Sequence, residues 1–258
     1  MKRISFLLAM VATFCTGLVF ASAVATTVNG TVQAQRGGAA PHAVRKGDEL
    51  NQGDTLSTGA NSSVVLKFDD GHVVALTSNS RMDITGYSYD PQSQTGGVLL
   101  TLLNGDMRAI TGVIGRNSPE KVVYRASDAR IGVRSADVSL ATEACYVVAT
   151  VNSGQISFTY GERSANVSTG HGVNLCTPRP FEQGTAQQVL QRVPANLKSA
   201  IGGLHGLTNA IKQAGPGQPR VGAGRSGGTP HGRGRGTIDR DDDGRGGEDG
   251  GGGIPSRS

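Results

Sequence analysis

The chain has 258 residues and a formal net charge of +5, from 25 Lys and Arg against 20 Asp and Glu. That excess lies outside the segment with the strongest folding pattern: residues 26–180 hold 13 basic and 13 acidic side chains, so this stretch is neutral and draws no polyanion toward itself by long-range attraction. There is no Trp, and Phe6, Phe14 and Phe20 take three of the 11 aromatic side chains, which excludes a base-stacking platform for single-stranded nucleic acid.

Met1-Lys2-Arg3 precedes an uncharged run from Ile4 to Ala25, and Ala21-Ser22-Ala23 and Ala23-Val24-Ala25 each place small residues at −3 and −1. A basic head, an apolar middle and small residues at the end are the features of a secretory leader. The run is diluted by Ser5, Thr13, Thr16, Gly17 and Ser22, so a retained membrane anchor is the weaker reading. Phe14 before Cys15 argues against a lipid-modified cysteine. The expectation is residues 1–25 as a signal peptide, cleavage after Ala23 or Ala25, no stable membrane insertion afterwards, and a periplasmic location.

Residues 26–180 show short apolar alternations broken by Gly, Asn and Asp, which predicts an all-β domain. Ser63–Phe68 and His72–Leu76 flank Asp69-Asp70-Gly71, a strong hairpin signal. Gly97–Leu103 and Asp106–Ile110 flank Asn104-Gly105, and Tyr146–Val151 and Gln155–Tyr160 flank Asn152-Ser153-Gly154, so each pair reads as two strands about a turn. The recurrence has no fixed length. Both a β-solenoid or roll and a sandwich of short strands with Gly turns are open.

From residue 181 the period changes. Val189, Leu190, Val193, Leu197, Ile201, Leu204, Leu207 and Ile211 draw an apolar stripe, so residues 181–214 read as a helical segment broken at Pro194 and laid on an edge or end of the β domain. Residues 215–258 hold 16 of the 39 Gly and almost no apolar side chains, the composition of a disordered tail. Arg233-Gly234-Arg235-Gly236 is similar to an RNA-binding repeat, but acids follow it and the chain reads as exported. Asp239, Asp241, Asp243 and Gly244 match half of a Ca²⁺ loop whose twelfth position is Gly250 where a bidentate Glu belongs, so a solvated acidic run is the better reading.

After the leader the thiols are Cys145 and Cys176. In an oxidising compartment they read as a structural disulfide closing a loop of about 30 residues, worth about 3 kcal/mol on the chain-entropy model. His42, His72, His171, His205 and His231 are scattered, with His171 and Cys176 the one loose pair, and no nucleophile, metal or phosphate-loop motif appears. His72, beside a hairpin turn, is expected on the surface. No enzymatic activity, cofactor or metal is expected.

The stretch Gly105-Asp106-Met107-Arg108-Ala109-Ile110-Thr111-Gly112, continued by Tyr124–Arg134 with Gly132-Val133-Arg134, resembles the FecR-type periplasmic domain. Further similarity lies in Gly47-Asp48, Gly53-Asp54-Thr55-Leu56, Thr58-Gly59 and Phe68-Asp69-Asp70-Gly71, so the resemblance covers about residues 26–175. It marks Gly105, Arg108, Gly112, Gly132 and Arg134 as family-motif positions. Two departures stand out: Ala126-Ser127 replaces Thr-Pro, and Ser135-Ala136 replaces Gly-Thr. A positive φ at that Gly position would force Ser135 into a costly conformation or change the turn. Arg108, Arg130 and Arg134 either form a ligand-facing row or pair with Asp106, Asp128 and Asp137, and the equal numbers favour pairing. Well-known members join such a domain to a cytoplasmic sigma-factor segment. With 25 residues ahead of the β domain, that role is not carried over. The resemblance implies a stand-alone, non-enzymatic module that binds a periplasmic or outer-membrane protein, with no nucleic-acid partner. A structural envelope protein is the alternative, as is a carbohydrate-binding accessory module, for which Tyr87, Tyr89, Tyr124, Tyr146 and Tyr160 would be the aromatic candidates.

Overall fold

The computed structural model describes residues 22–220. In chain order the elements are β1 (Ala23–Asn29), β2 (Val32–Arg36), β3 (His42–Ala43), β4 (Glu49–Leu50), β5 (Asp54–Thr58), β6 (Ser63–Phe68), β7 (Val73–Leu76), β8 (Arg81–Asp90) and β9 (Thr95–Ile110). A short helix α1 (Val113–Asn117) and a 3-10 turn (Pro119–Lys121) lead to β10 (Val122–Ala126), β11 (Ala129–Glu143), β12 (Tyr146–Tyr160), β13 (Arg163–Ser168), β14 (His171–Cys176) and β15 (Glu182–Thr185). Three helices follow: α2 (Ala186–Gln191), α3 (Ala195–Gly206) and α4 (Thr208–Ala214).

The described strands form one mixed sheet, antiparallel except where β10 runs parallel to β9. Three long strands are shared between two layers. The first half of β9 pairs with β8 and β10, and its second half with β7 and β11. The first half of β11 pairs with β10 and its second half with β9, while β12 stays beside β11 throughout. On its other side β12 carries β14 along its first half and β13 along its second. One layer thus contains β4, β1, β6, β7, β14 and β15, and the other β3, β2, β5, β8, β10 and β13. Phe68, Leu66, Leu140 and Val173 of the first layer share a core with Ile84, Leu100, Tyr124, Ile131 and Phe158 of the second. Of the two expected architectures, the chain adopts the sandwich, made by folding one sheet on itself.

Two of the three expected turns are bends. Asn104-Gly105 lies inside β9, where its pairing passes from β8 to β11, and Asn152-Ser153-Gly154 lies inside β12, which stays beside β11 across the bend. Gly105 (φ +83°) and Gly154 (φ +82°) supply the left-handed backbone at which each strand passes from one layer to the other. Asp69-Asp70-Gly71 is a true reversal between β6 and β7.

The folded boundaries also differ from the expected ones. β1 begins at Ala23, with Ala23 and Ala25 fully buried and the Ser22 amide donating to the Leu50 carbonyl at 3.0 Å. Cleavage after Ala25 would remove the first three residues of a core strand, so the fold takes in Ser22–Ala25, which the leader reading gave to the signal peptide. At the other end β15 extends the sheet to Thr185, and the helices start at Ala186 behind a Thr185–Gln188 capping box. Pro194 breaks the helical segment as expected, standing as the N-cap of α3. The helices cover a sheet face, and not an edge or an end: Val189, Leu197 and Ile201 pack on Ala141 and Val148, and Ile211 and Ala214 on Val65, Val73 and Ala75. Among the described residues no helix is long and apolar enough to cross a membrane. The Arg-Gly repeat and the acidic run lie outside the described residues.

Cys145, in the β11–β12 turn, is bonded to Cys176 at the end of β14, with Cα atoms 4.7 Å apart. The bond ties strands already in register, Tyr146 opposite Cys176. Replacing both cysteines by Ser is expected to lower stability by about 3 kcal/mol. Urea denaturation checks this, and an unchanged midpoint would contradict a structural role.

Candidate functional site

Of the family-motif positions, Gly112 meets the β6–β7 turn. Gly71 has φ +81°, and the Phe68 amide donates to the His72 carbonyl at 2.8 Å, closing the reversal. Asp70 is turned inward and fully buried. Its Oδ1 accepts from the His72 amide at 3.1 Å and from the Tyr87 hydroxyl at 3.2 Å, its amide donates to that hydroxyl oxygen at 2.9 Å, and its carbonyl accepts from the Val113 amide at 2.9 Å. Gly112 lies flat against this turn. A Cβ there would overlap the Asp70 carbonyl and Oδ2 and come within 2.5 Å of the His72 amide nitrogen. The Thr-Gly motif and the Asp-Asp-Gly motif are therefore two halves of one packed joint.

His72, expected on the surface, is fully buried. It lies on the core face shared by Val74 and Leu76, whereas Val73 and Ala75 on the other face of β7 are covered by helix α4. His72 Nε2 and the Tyr124 hydroxyl share a hydrogen bond of 2.8 Å, and the His72 ring stands edge-on to both Phe68 and Tyr124. Burial lowers the His72 pKa, and it raises those of Tyr124 and Tyr87, with the Asp70 charge adding to both tyrosine shifts. No atom of Asp70, His72 or Tyr124 reaches solvent, so the cluster has no route to a substrate. It acts as a lock between β6, β7, β8 and β10.

The arginines divide between the two proposed fates. Arg108 is buried and pairs bidentately with Asp137, Nε to Oδ1 at 2.8 Å and Nη2 to Oδ2 at 2.6 Å. Its Nη1 donates to Thr208 Oγ1 at 2.9 Å, and Asn152 donates to Asp137 Oδ1 at 3.0 Å, so one guanidinium ties β9, β11, β12 and α4. Asp106 is buried beside Thr77, which donates to it at 2.9 Å; burial outweighs that hydrogen bond and pushes its carboxyl up to about 6. Gly105 packs on Ser80, and Gly132 faces Ser157, whose Oγ would lie 2.5 Å from a Cβ. Arg130 and Arg134 are exposed on the second layer's outer face and form no ion pair among the described residues. The motif positions thus separate into buried Arg108 and Gly112, half-buried Gly105 and Gly132, and exposed Arg134.

That outer face holds two adjoining depressions of about 490 and 380 Å³, which meet at Val123 and Arg130. The departures from the family motif lie at its ends. Ser135 takes φ +44°, the strained conformation expected for it, beside Gly154, where a Cβ would sit 2.6 Å from the Ala136 Cα. Ser127 has φ +51° in the β10–β11 turn, a conformation closed to Pro. Sequence reading missed the open face because no periodicity shows which of two sheet faces the helices cover.

A last contact was unexpected. Residues 215–220, assigned by composition to the disordered tail, lie across the Asp69–Gly71 turn. The Gly217 amide donates to the Gly71 carbonyl at 2.8 Å, the Arg220 amide to the Asp69 carbonyl at 2.9 Å, and Arg116 to the Gly217 carbonyl at 2.7 Å. A Cβ on Gly71 would meet the Gln218 backbone at 2.5 Å, and Arg220 Nη1 pairs with Asp69 Oδ1 at 2.9 Å. Burial raises the Asp69 carboxyl to about 6, against the opposing pull of Arg220 and with the help of Asp70 and Glu49. A carboxyl raised in this way binds its proton more tightly when folded. Its contribution to stability is complete below the unfolded value near 4 and is lost as pH rises through about 6. Carboxyl NMR should find Asp69 titrating near 6, higher still in Arg220→Ala, and Asp69→Asn should remove part of the fall in stability over that window. A carboxyl titrating near 4 and indifferent to Arg220 would contradict the contact.

The family model described as FecR protein matches residues 54–157. No curated protein matches the chain. Among solved structures, two crystal structures of a "putative anti-sigma factor" from Parabacteroides distasonis ATCC 8503 are similar, with 16% and 15% identity and TM-scores of 0.43 and 0.42. Each alignment covers 51% of this chain and 59% of that one, so the chain spans little more than half of that protein's length. Residues 54–157, from the Asp54 strand through the Asp-Asp-Gly turn and the Thr-Gly joint to the β11–β12 pair, are a FecR domain.

Proposed function

We propose that the chain is an exported, non-enzymatic FecR-domain protein that acts in the periplasm by contact with another envelope protein, in a signalling or regulatory role. The observation that carries this reading is the asymmetry of the sandwich. Helices α2–α4 cover one outer face, whereas the other outer face is open and ends at β13, which pairs with β12 alone among the described strands. A six-residue edge with polar side chains offers main-chain donors and acceptors to an added strand. The disulfide supports an oxidising compartment. The sealing of His72 and Tyr124 argues against their use in acid–base chemistry.

Affinity capture from an envelope fraction with the full chain, followed by reconstitution from purified components, tests the reading. The expected result is a stoichiometric complex with one envelope protein. Failure to reconstitute any complex, together with turnover of an envelope substrate by the purified chain, would overturn it.

A further inference from the structure

The open face is not a neutral surface. Lys121, Arg125, Arg130 and Arg134 are all exposed along it, and none is in an ion pair among the described residues. Arg125 stands directly opposite Arg130 across the β10–β11 ladder. Like charges in that position destabilise a sheet, typically by a few tenths of a kcal/mol. The domain elsewhere pairs its buried arginine with an aspartate, so leaving two guanidinium groups facing each other is a cost with no return inside the fold. Arg134 extends the row four residues along β11, about 13 Å from Arg130 at the usual strand rise. The one carboxylate lining the depressions is Glu120.

We infer that this face is a docking surface for an extended, acidic peptide segment of the protein partner, with Arg125, Arg130 and Arg134 receiving its carboxylates. The inference rests on the protein-binding reading and names the partner's chemistry. Guanidinium forks suit carboxylates, and the separation of about 13 Å between Arg130 and Arg134 suits side chains i and i+4 of an extended segment lying on this face. Ser157 and Asn166 line the trough between the charges, and Asn166 belongs to β13, whose outer edge bonds to no described strand. A polypeptide can use that edge through its backbone. An acidic polysaccharide cannot, and it finds no stacking platform either: the one aromatic ring lining the trough, Tyr87, is half-buried with its hydroxyl held by Asp70.

Fluorescence anisotropy with the full chain tests this, using labelled (Glu-Thr)6 and (Lys-Thr)6 peptides and an oligogalacturonate. The acidic peptide is expected to bind, with an affinity that falls as salt rises from about 50 to about 300 mM. Arg130→Glu/Arg134→Glu should weaken it about tenfold or more, and Arg81→Glu, an exposed change away from the trough, should leave it unchanged. Circular dichroism checks that the variants fold. Equal binding of the two peptides, equal loss in Arg81→Glu, or tighter binding of the oligogalacturonate would overturn the inference. A reconstituted partner complex unaffected by Arg130→Glu/Arg134→Glu would overturn the docking face while leaving the protein-binding reading in place. Peptide binding that depends on these arginines, with no partner complex, would support the face and remove that reading.

Discussion

The close approach of the Gly112 backbone to the Asp69-Asp70-Gly71 turn is the constraint on which the other contacts depend. Two segments about 40 residues apart in sequence meet with no side chain between them, and the Val113 amide bonds the Asp70 carbonyl at 2.9 Å across the joint. Of the atoms a Cβ at Gly112 would strike, two belong to the backbone and cannot swing aside. Holding Asp70 there turns its carboxylate inward, where Tyr87 and the His72 amide satisfy Oδ1, and fixes His72 under Tyr124. The turn, so fixed, gives residues 215–220 their seat. Strand β9 arrives at the joint from the second layer, which couples the motif to the folding of the sheet.

That folding needs the long strands to bend where they pass from one set of partners to the next. Gly105 and Gly154 bend with little cost, while Ser135 does so against its own preference. Ser135 and Gly154 lie at the same crease between β11 and β12, and the lack of a Cβ at Gly154 makes room for the Ser135–Ala136 backbone. The strained backbone at Ser135 is thus accommodated by a neighbour. Beyond the crease β11 carries Arg130 and Arg134 outward on one side of Ser135 and Asp137 to Arg108 on the other, so the same strand builds both the framework and the open face.

Much of the fold was legible in the residues. Period-two alternation marked the β domain, the Asp-Gly turn was a reversal, Pro194 divided the helices, and the cysteines met in a bond. The errors share a cause. Asn104-Gly105 and Asn152-Ser153-Gly154 have hairpin chemistry, yet a left-handed glycine serves a bend as well as a reversal, and only the neighbouring strands decide between them. His72 was misplaced because the apolar run Val73–Leu76 does not tell which alternate positions face the core, and His72 falls on the core side with Val74 and Leu76. The site divided likewise: equal counts of Arg and Asp implied mutual pairing, which holds for Arg108, whereas Arg130 and Arg134 have the same chemistry but line a depression whose one carboxylate is Glu120 and form no ion pair among the described residues.

The joint at Gly112 is tested most directly by urea denaturation of Gly112→Ala beside Gly38→Ala, the latter a loop position with nothing within 4 Å of a new Cβ. The account predicts a loss of at least about 2 kcal/mol for Gly112→Ala and a change within about 0.5 kcal/mol for Gly38→Ala. Equal, small effects at both positions would show that the two motifs do not depend on their close approach, and would contradict the account.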